Sequence, residues 1–489
     1  MALALLALLL SACQPQVASF SSGVAAEQSV PQQAEATPAG PAPTPLPSRP
    51  VYSPGELVDY TAQTGDTLPV LALRFNTSVD EIRQANTFIP QSATTMPPGM
   101  PMKIPIYSSP FWGTSFKIIP DSLFINGPAQ VGFDTAKFVS AQPGWLKDYT
   151  EYAADANRSA AEIIDLVALK FSVSPRLFLA LLEYQTGALT QPEATEVAQT
   201  YPLGYRSRDR KGLYPQLLWT ANLLNNGYYG WRTGRLLSIE FDDGRQTRFD
   251  PWQNAATVSL HNFFNTFLAK DAYENATSPQ GLALTYAALF GDPWAADQPH
   301  IPGSLEQPYL KLPFNPGEVW SYTGGPHTAW GNGEPFAALD FAPPLTSSGC
   351  TPTERWATAV APGVVARSEY GEIMLDLDGD GDERTGWNIF YLHVATVGRA
   401  PLGAVLETGD PVGYPSCEGG TTTGTHIHMA RKYNGEWIEA DWTLPFVMED
   451  WIPHNGNAPY IGTLTRQSQV VTACDCSNQK SFIESDPKK

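Results

Sequence analysis

Two segments near the C-terminal end of the chain place histidines in the alternating pattern of β-strands. Residues 425–429 read Thr-His-Ile-His-Met, and residues 388–395 read NIFYLHVA. Because successive side chains of a strand point to opposite faces, His426 and His428 should project from the same face of a sheet. The chain has only seven histidines, and four of them fall between positions 327 and 428. The pattern predicts a mainly antiparallel β C-terminal domain that gathers histidines on one surface.

Length and charge limit the organisation of the chain. At about 150 residues per domain, 489 residues correspond to roughly three folded units. The 30 Lys and Arg residues are outnumbered by 49 Asp and Glu residues, for a net charge of -19. A basic surface for DNA or RNA is therefore missing. The composition predicts a multidomain protein with no nucleic-acid partner.

The first thirteen residues have the character of an export signal. The apolar run 1–10 is shorter than the roughly 20 residues that a membrane-spanning helix needs. It ends in Leu-Ser-Ala-Cys, which resembles a bacterial lipobox. That resemblance implies a lipoprotein signal peptide over 1–13, lipidation of Cys13, and a place in the cell envelope, outside the cytoplasm, with the lipid as the one membrane anchor. The alternative is an ordinary secretory signal and a secreted protein.

Residues 14–57 are predicted to be a proline-rich, disordered linker. Eight of the 24 positions between Pro31 and Pro54 are proline, and hydrophobic periodicity is lacking. At about 3.1 Å per residue in polyproline II, some 40 residues could reach roughly 130 Å. The linker would carry the folded part of the chain well away from an anchored N-terminus.

Residues 58–107 change to the pattern of a small folded module. A short strand at 58–62 precedes a Thr-Gly-Asp-Thr turn, and the apolar positions that follow have helical spacing. The string YTAQTGDTLPVLALRFNTSVDEIRQAN with its closing PGMPMKIPI resembles a LysM domain. The resemblance implies an α+β module of βααβ type that binds N-acetylglucosamine in peptidoglycan or chitin. The site would lie on the start of the second helix and on a loop of four residues, Gly65, Asp66, Thr67 and Leu68. A packing module without sugar affinity is the alternative.

Residues 115–300 are predominantly helical by pattern. In one helix Ser174 is placed to cap the N-terminus, Pro175 to occupy the first turn and Gly187 to end it. The stretch VALKFSVSPRLFLALLEYQTGAL resembles the core of the lysozyme and lytic transglycosylase superfamily. The position of that superfamily's general acid holds Gln185, which cannot donate a proton as a carboxylic acid does, and Glu183 lies on another helix face. We therefore predict a mainly α, lysozyme-like accessory domain that binds or spaces glycan without cleaving it.

The cysteines are compatible with an exported protein. Without Cys13, four of the five cysteines remain, and four cysteines can pair in three ways. We favour a disulfide between Cys350 and Cys417, and leave the pairing of Cys474 with Cys476 open because so close a pair would close a strained ring. Zinc binding by the four is the alternative, although one C-x-C is a weak ligand pattern.

Residues 310–470 carry the candidate chemistry, and 471–489 are predicted to be a C-terminal tail. The segment GGPHTAWGNGEPFAALD places His327 after a Gly-Gly pair and thirteen residues before Asp340. With YLHVA and GTHIHMARKYNGEW, it resembles the beta-lytic branch of the lysostaphin-type zinc endopeptidases. The resemblance implies that His327, Asp340 and His428 ligate one zinc ion and that His393 and His426 act on the substrate.

The chemistry of these residue types agrees with the implied roles. Zinc with three protein ligands can lower the pKa of a water molecule from 15.7 to about 7. His426 would take the proton of that water and His393 would stabilise the oxyanion, or the two roles would be exchanged. Tyr460 could assist the oxyanion, but a buried aromatic residue is the favoured interpretation of that position. The implied function is hydrolysis of peptide cross-links in peptidoglycan; an inactive wall-binding scaffold that activates other hydrolases is the alternative, and a glycosidase is a further rival.

An acidic run at 376–382 imitates the start of a calcium loop. The twelfth position of such a loop would need a bidentate Glu, and Trp387 stands there. The sequence favours a solvated hairpin loop between two strands over a calcium site.

Overall fold

The computed structural model describes residues 50–107, 112–345, 347–476 and 478–487. The signal peptide, Cys13 and most of the proposed linker lie outside these residues and stay predictions. Within the described residues, the helices are too short or too polar to cross a membrane.

The N-terminal module has the predicted βααβ order, and its first strand begins two residues before the predicted boundary. Ser78 and Glu81 form a capping box at the second helix: each side chain accepts the backbone N–H of the other residue. The two strands pair antiparallel. The elements are β1 (Glu56–Thr61), α1 (Leu68–Phe75), α2 (Val79–Ala85) and β2 (Pro101–Ile106).

The helical region follows its sequence signals closely. Ser174 accepts the N–H of Leu177 at the start of the predicted helix, and Gly187 ends the helix with a φ of 61°. The elements are α3 (Asp121–Phe124), α4 (Thr135–Ser140), β3 (Thr150–Ala153), β4 (Ala156–Ser159), α5 (Ala160–Phe171), α6 (Pro175–Thr186), α7 (Glu196–Thr200), α8 (Leu213–Thr233), β5 (Ser238–Glu240), β6 (Gln246–Arg248), α9 (Ala255–Asn265), α10 (Lys270–Ala276) and α11 (Leu282–Phe290).

The C-terminal region is built on one nine-stranded antiparallel sheet. The strands of the region are β7 (Val319–His327), β8 (Ala338–Ala342), β9 (Ala357–Thr358), β10 (Gly363–Glu369), β11 (Glu372–Asp376), β12 (Trp387–Leu392), β13 (Val405–Leu406), β14 (Pro411–Gly413), β15 (Ile427–Tyr433), β16 (Glu436–Trp437), β17 (Ile452–His454), β18 (Thr463–Arg466), β19 (Gln469–Thr472) and β20 (Phe482–Glu484). The main path of the large sheet runs β13-β10-β11-β12-β15-β8-β7-β20, and β16 pairs with β15. Two smaller sheets consist of β9 with β14 and of β17, β18 and β19.

The last residues of the chain differ from the predicted tail over 471–489. Strand β20 pairs with β7 at the edge of the main sheet. Its central residue, Ile483, is buried between two exposed neighbours, which is the alternation of an edge strand. The buried carboxylate of Glu449 accepts hydrogen bonds from Ser485 Oγ and the Asp486 backbone N–H. The C-terminal segment is therefore part of the sheet region.

The two faces of the main sheet belong to different cores. Met374, Phe390 and Ala430 lie in one hydrophobic cluster with residues of the helical region. Their strand neighbours Leu375, Ile389 and Met429 lie in a second cluster confined to the sheet region. Because side chains alternate along each strand, the helical region covers one face of the sheet and closes a shared core.

We expect Phe390→Ala to destabilise the helical region and the sheet region together. Phe390 is 1% exposed in the shared cluster, and removing such a ring costs about 3–5 kcal/mol. Denaturant unfolding followed by circular dichroism measures the loss. Phe88→Ala, at a position 60% exposed, should change the free energy of unfolding by less than about 0.5 kcal/mol. Equal effects of the two substitutions would contradict the shared core.

Candidate metal centre

Three adjacent strands bring His327, Asp340 and His428 together. The register pairs Asp340 of β8 with His428 of β15 and with Gly324 of β7, the strand that ends at His327. His327 Nε2 lies 3.1 Å from Asp340 Oδ2, and His428 Nδ1 lies 3.2 Å from Asp340 Oδ1. One possible ligand atom from each of the three residues lies within 4.8 Å of the others.

The Gly-Gly pair before His327 makes room for this approach. A Cβ on Gly324 would stand 2.7 Å from Asp340 Oδ2. Gly325 has a φ of 139°, a conformation that is essentially reserved for glycine. The two glycines therefore allow the carboxylate of β8 to pass close to the backbone of β7.

Backbone carbonyls fix the orientation of both imidazoles. The Nδ1 atom of His327 lies 3.1 Å from the carbonyl oxygen of Ala338, and Nε2 of His428 lies 3.0 Å from that of Ala329. A carbonyl only accepts, so each of these two nitrogens carries a proton. The other nitrogen of each ring faces Asp340. Sequence reasoning missed both carbonyls because a backbone acceptor has no residue-type signal.

Burial governs the charge state of the cluster. It lowers the pKa of His327 to about 4, so that ring is neutral near pH 7. Burial also raises the pKa of Asp340, but the imidazoles of His327 and His426 outweigh it and the pKa lies below its ordinary value. The Asp340 Oδ1 atom has no hydrogen-bond partner among the described residues. A buried carboxylate that faces two imidazole nitrogens is an arrangement suited to holding a cation.

The donor set fits a zinc ion. Two imidazole nitrogens and one carboxylate oxygen are common in catalytic zinc sites, and tetrahedral bonds of about 2.0–2.1 Å place ligand atoms about 3.3 Å apart. Each imidazole lies at about that spacing from one oxygen of Asp340, His327 from Oδ2 at 3.1 Å and His428 from Oδ1 at 3.2 Å, and one ligand atom from each of the three residues lies within 4.8 Å of the others. Three protein ligands leave one tetrahedral position for a water molecule or substrate.

His393 and His426 adjoin the cluster. The sequence predicts both within strands, but β12 ends at Leu392 and β15 begins at Ile427, and His393 has a φ of 67°. Their ring centroids are 4.5 Å apart, and His426 Nε2 lies 3.8 Å from Asp340 Oδ1. The Nδ1 atoms donate to the carbonyls of Glu418 and Gly424 at 2.8 Å each, so each neutral ring offers Nε2 as an acceptor. Burial, with the neighbouring His426, lowers the pKa of His393 to about 3.

The expectation that Tyr460 is a buried aromatic residue is wrong. Its side chain is 49% exposed, and its ring centroid lies 4.0 Å from that of His327. The residue has a φ of 72°, and its backbone bonds to Gly325 and Pro326 next to the ligand. Tyr460 is therefore held at the solvent-facing side of the cluster, where a substrate would arrive.

Comparisons with known proteins match each of the three regions. The LysM domain model matches residues 60–105, and the model described as LasA, N-terminal domain matches residues 117–303. Protease LasA of Pseudomonas aeruginosa (strain UCBPP-PA14) is 25% identical over 336 residues, which cover 65% of this chain and 74% of that protein. The beta-lytic metalloendopeptidase of Achromobacter lyticus is 28% identical over 144 residues, 27% of this chain and 36% of its own. The solved M23 metalloprotease pseudoalterin aligns with 34% of this chain and 96% of its own, at 23% identity and a TM-score of 0.29.

These similarities confirm the resemblances to LysM domains and to the beta-lytic zinc endopeptidases. The chain is a metalloendopeptidase. The helical region of this metalloendopeptidase matches the LasA N-terminal domain, so its lysozyme-like character stays a prediction.

Glu183 and Gln185 of the proposed lysozyme-like helix both pack against neighbouring loops. Glu183 accepts hydrogen bonds from the Leu189 backbone N–H and from Thr190 Oγ1, which closes the loop after α6. Gln185 lies against Gly204, where a Cβ would stand 2.8 Å from its Oε1 atom. The Glu183 carboxylate thus stabilises the loop after α6 and is not placed to replace Gln185 as a general acid.

The acidic run forms the predicted hairpin loop between β11 and β12. Asp376 accepts the backbone N–H groups of Asp378 and Gly381. These hydrogen bonds stabilise the turn. One oxygen from each of Asp376, Asp378 and Asp380 lies within 4.8 Å of the others, so the preference for a loop without calcium stays a prediction.

The four cysteines form two disulfides, Cys350 with Cys417 and Cys474 with Cys476. The first is the predicted pair, and the second resolves the pairing that the sequence left open. The Cys350–Cys417 bond joins two loops beside His426: the Thr425 N–H donates to the Gly349 carbonyl, and Thr425 Oγ1 donates to Thr351 O. The disulfide therefore stabilises the loops next to His426.

We expect the double substitution Cys350→Ser with Cys417→Ser to lower the free energy of unfolding by about 2–4 kcal/mol, because the bond closes a long loop of sequence separation 67. Cys474→Ser with Cys476→Ser is the matched control, since its sequence separation is 2. Denaturant unfolding of both variants gives the comparison. A smaller loss for the first pair than for the control would contradict this stabilising role.

Proposed function

We propose that this metalloendopeptidase is an exported, lipid-anchored peptidoglycan hydrolase that cleaves peptide bonds of wall cross-links. The observation that carries the proposal is the meeting of His327, Asp340 and His428 with the two further histidines, His393 and His426, in one buried cluster. Similarity to beta-lytic metalloendopeptidase and to protease LasA supports the substrate class.

His327, Asp340 and His428 would hold the zinc ion. When bound, zinc supplies a water molecule activated near neutral pH and polarises the scissile carbonyl. The chain supplies the orientation of this site: Ala338 and Ala329 keep the two imidazoles in the tautomers that leave a lone pair toward Asp340.

The two remaining histidines would move the proton. His426 Nε2 accepts a proton from the attacking water, and the new carbon–oxygen bond converts the amide carbonyl into a tetrahedral oxyanion. The same nitrogen returns the proton to the leaving amine as the carbon–nitrogen bond breaks. Since His393 also offers Nε2 as an acceptor, it can exchange this role with His426, and the Tyr460 hydroxyl is the neutral donor suited to the oxyanion.

Recognition of the wall would rest on sugar contacts. A net charge of -19 gives no attraction to anionic wall polymers. The LysM domain, matched over residues 60–105, supports recognition of the glycan. The proline-rich linker would let an anchored enzyme reach it.

We expect His428→Ala to abolish zinc binding and peptide cleavage together. His426→Ala should retain zinc and lose about 10²- to 10⁴-fold in rate, because only the proton transfer is removed. Zinc content by equilibrium dialysis and release of new amines from purified peptidoglycan, with and without chelator, separate the two effects.

His454→Ala is the control for these substitutions, because the His454 side chain bonds to Thr465 of β18 and is 43% exposed, outside the cluster of four histidines. It should keep both zinc and activity. Zinc-loaded protein that binds the wall without releasing amines would instead indicate the scaffold. New reducing ends that persist under chelation would indicate a glycosidase.

We expect the mature protein to begin at an acylated Cys13 and to fractionate with membranes. Cys13→Ser should move it to the soluble fraction. Mass spectrometry of the mature N-terminus is the direct measurement, and an unmodified residue beyond Cys13 would rule out the anchor.

A further inference from the structure

The loop expected to bind sugar, Gly65 to Leu68, lies in an interface within the chain. Asp66, Thr67 and Leu68 are each less than 5% exposed. The carboxylate of Asp66 is committed to Tyr60 Oη at 2.6 Å and to Arg74 Nη1 at 2.8 Å. These side chains hold the loop together and leave little of it to a ligand.

Arg232, at the end of α8, covers the loop from the helical region. Its guanidinium donates to the carbonyl oxygen of Thr64, and a Cβ on Gly65 would stand 2.5 Å from its Nη1 atom. The same guanidinium lies 3.0 Å from Glu436 of β16. The guanidinium that covers the loop is therefore also held by an ion pair with the sheet region.

The segment of residues 300–305 covers the other side of the loop. The Ile301 N–H donates to Thr64 Oγ1 at 3.0 Å. The Ser304 and Leu305 N–H groups donate to the carbonyl oxygen and Oγ1 of Thr95 at 2.8 Å and 3.0 Å. These three hydrogen bonds occupy polar groups of Thr64 and Thr95, on two sides of the loop.

Close packing at Gly303 completes the contact. A Cβ on Gly303 would stand 2.4 Å from Pro97 Cγ and 2.7 Å from Pro97 Cα. Beside the loop, a cavity of about 60 Å³ remains, lined in part by Thr67, Arg232 and Ile301. At 10–15 Å³ per water molecule this space holds a few waters, and a sugar ring does not fit.

We propose that the 300–305 segment and Arg232 close the LysM loop, so that the module binds glycan only in an open state of the chain. This inference rests on the proposed glycan recognition by the LysM domain. An apparent dissociation constant is weakened by the fraction of molecules in the competent state. By linkage, glycan binding would in turn favour release of the 300–305 segment.

Gly303→Val in the full chain tests the closure because it forces the segment away from Pro97 without altering the loop. Retention on chitin is the measurement, since chitin carries the sugar but no peptide for the metal centre. We expect the variant to bind about tenfold or more tightly than the natural chain, as a state populated at 10% or less becomes dominant. Ala296→Val, at an exposed position upstream, is the control and should bind like the natural chain.

The remaining outcomes separate this inference from the function it rests on. Firm and equal retention of the natural chain and Gly303→Val would overturn the closure and leave glycan recognition intact. Retention of neither would overturn both, while release of amines from peptidoglycan would still report on the peptidase.

A second measurement uses the natural chain alone, in case Gly303→Val does not fold. Hydrogen exchange at the amides of Ile301, Ser304 and Leu305 is followed with and without a soluble N-acetylglucosamine oligomer. We expect the sugar to accelerate exchange at these three amides. Sugar binding that leaves their protection unchanged would overturn the closure.

Discussion

The buried carboxylate of Asp340 is the group on which the rest of the metal centre depends. Both of its oxygens face imidazole nitrogens whose protons have been drawn to the opposite side of each ring by backbone carbonyls. Burial removes the water that would otherwise solvate this carboxylate, so its charge must be balanced by groups within the site. The register of β7, β8 and β15 brings the two imidazoles to the carboxylate and so creates a place for a cation.

That register also explains why the site lies under the helical region. Leu392 pairs with His428 across β12 and β15, and Phe390 pairs with Ala430 two residues along. Paired side chains of antiparallel strands share a face. The ligand-bearing face thus continues into the core shared with the helices, and the exposed ring of Tyr460 marks the side that remains accessible.

The sequence could predict those parts of the molecule that depend on local signals. The alternation before β15 and the cap at Ser174 each specify a geometry over a few residues. The thirteen-residue spacing from His327 to Asp340 predicts the ligands only through its resemblance to the beta-lytic endopeptidases. The orienting carbonyls, the exposure of Tyr460 and the strand at 482–484 depend on which distant segments meet. A tyrosine has the same ring in a core and beside a metal ligand. The position of Tyr460 is decided by its backbone hydrogen bonds to Gly325 and Pro326 of β7.

Packing of distant segments also explains why the LysM loop is buried, although its resemblance predicts a loop that binds sugar. Its sequence specifies the turn, but Arg232 determines what the turn contacts, and Arg232 itself is held by Glu436 and lies 3.3 Å from Asp121. Burial raises the pKa of Glu436, and the charge of Arg232 outweighs it, leaving the pKa at about 2. A buried ion pair of this kind is costly to leave with one partner missing. Arg232 thus contacts all three regions at once: Thr64 of the LysM module, Asp121 of the helical region and Glu436 of the sheet region. What the LysM turn contacts is therefore decided by the packing of distant segments, which its own sequence does not encode.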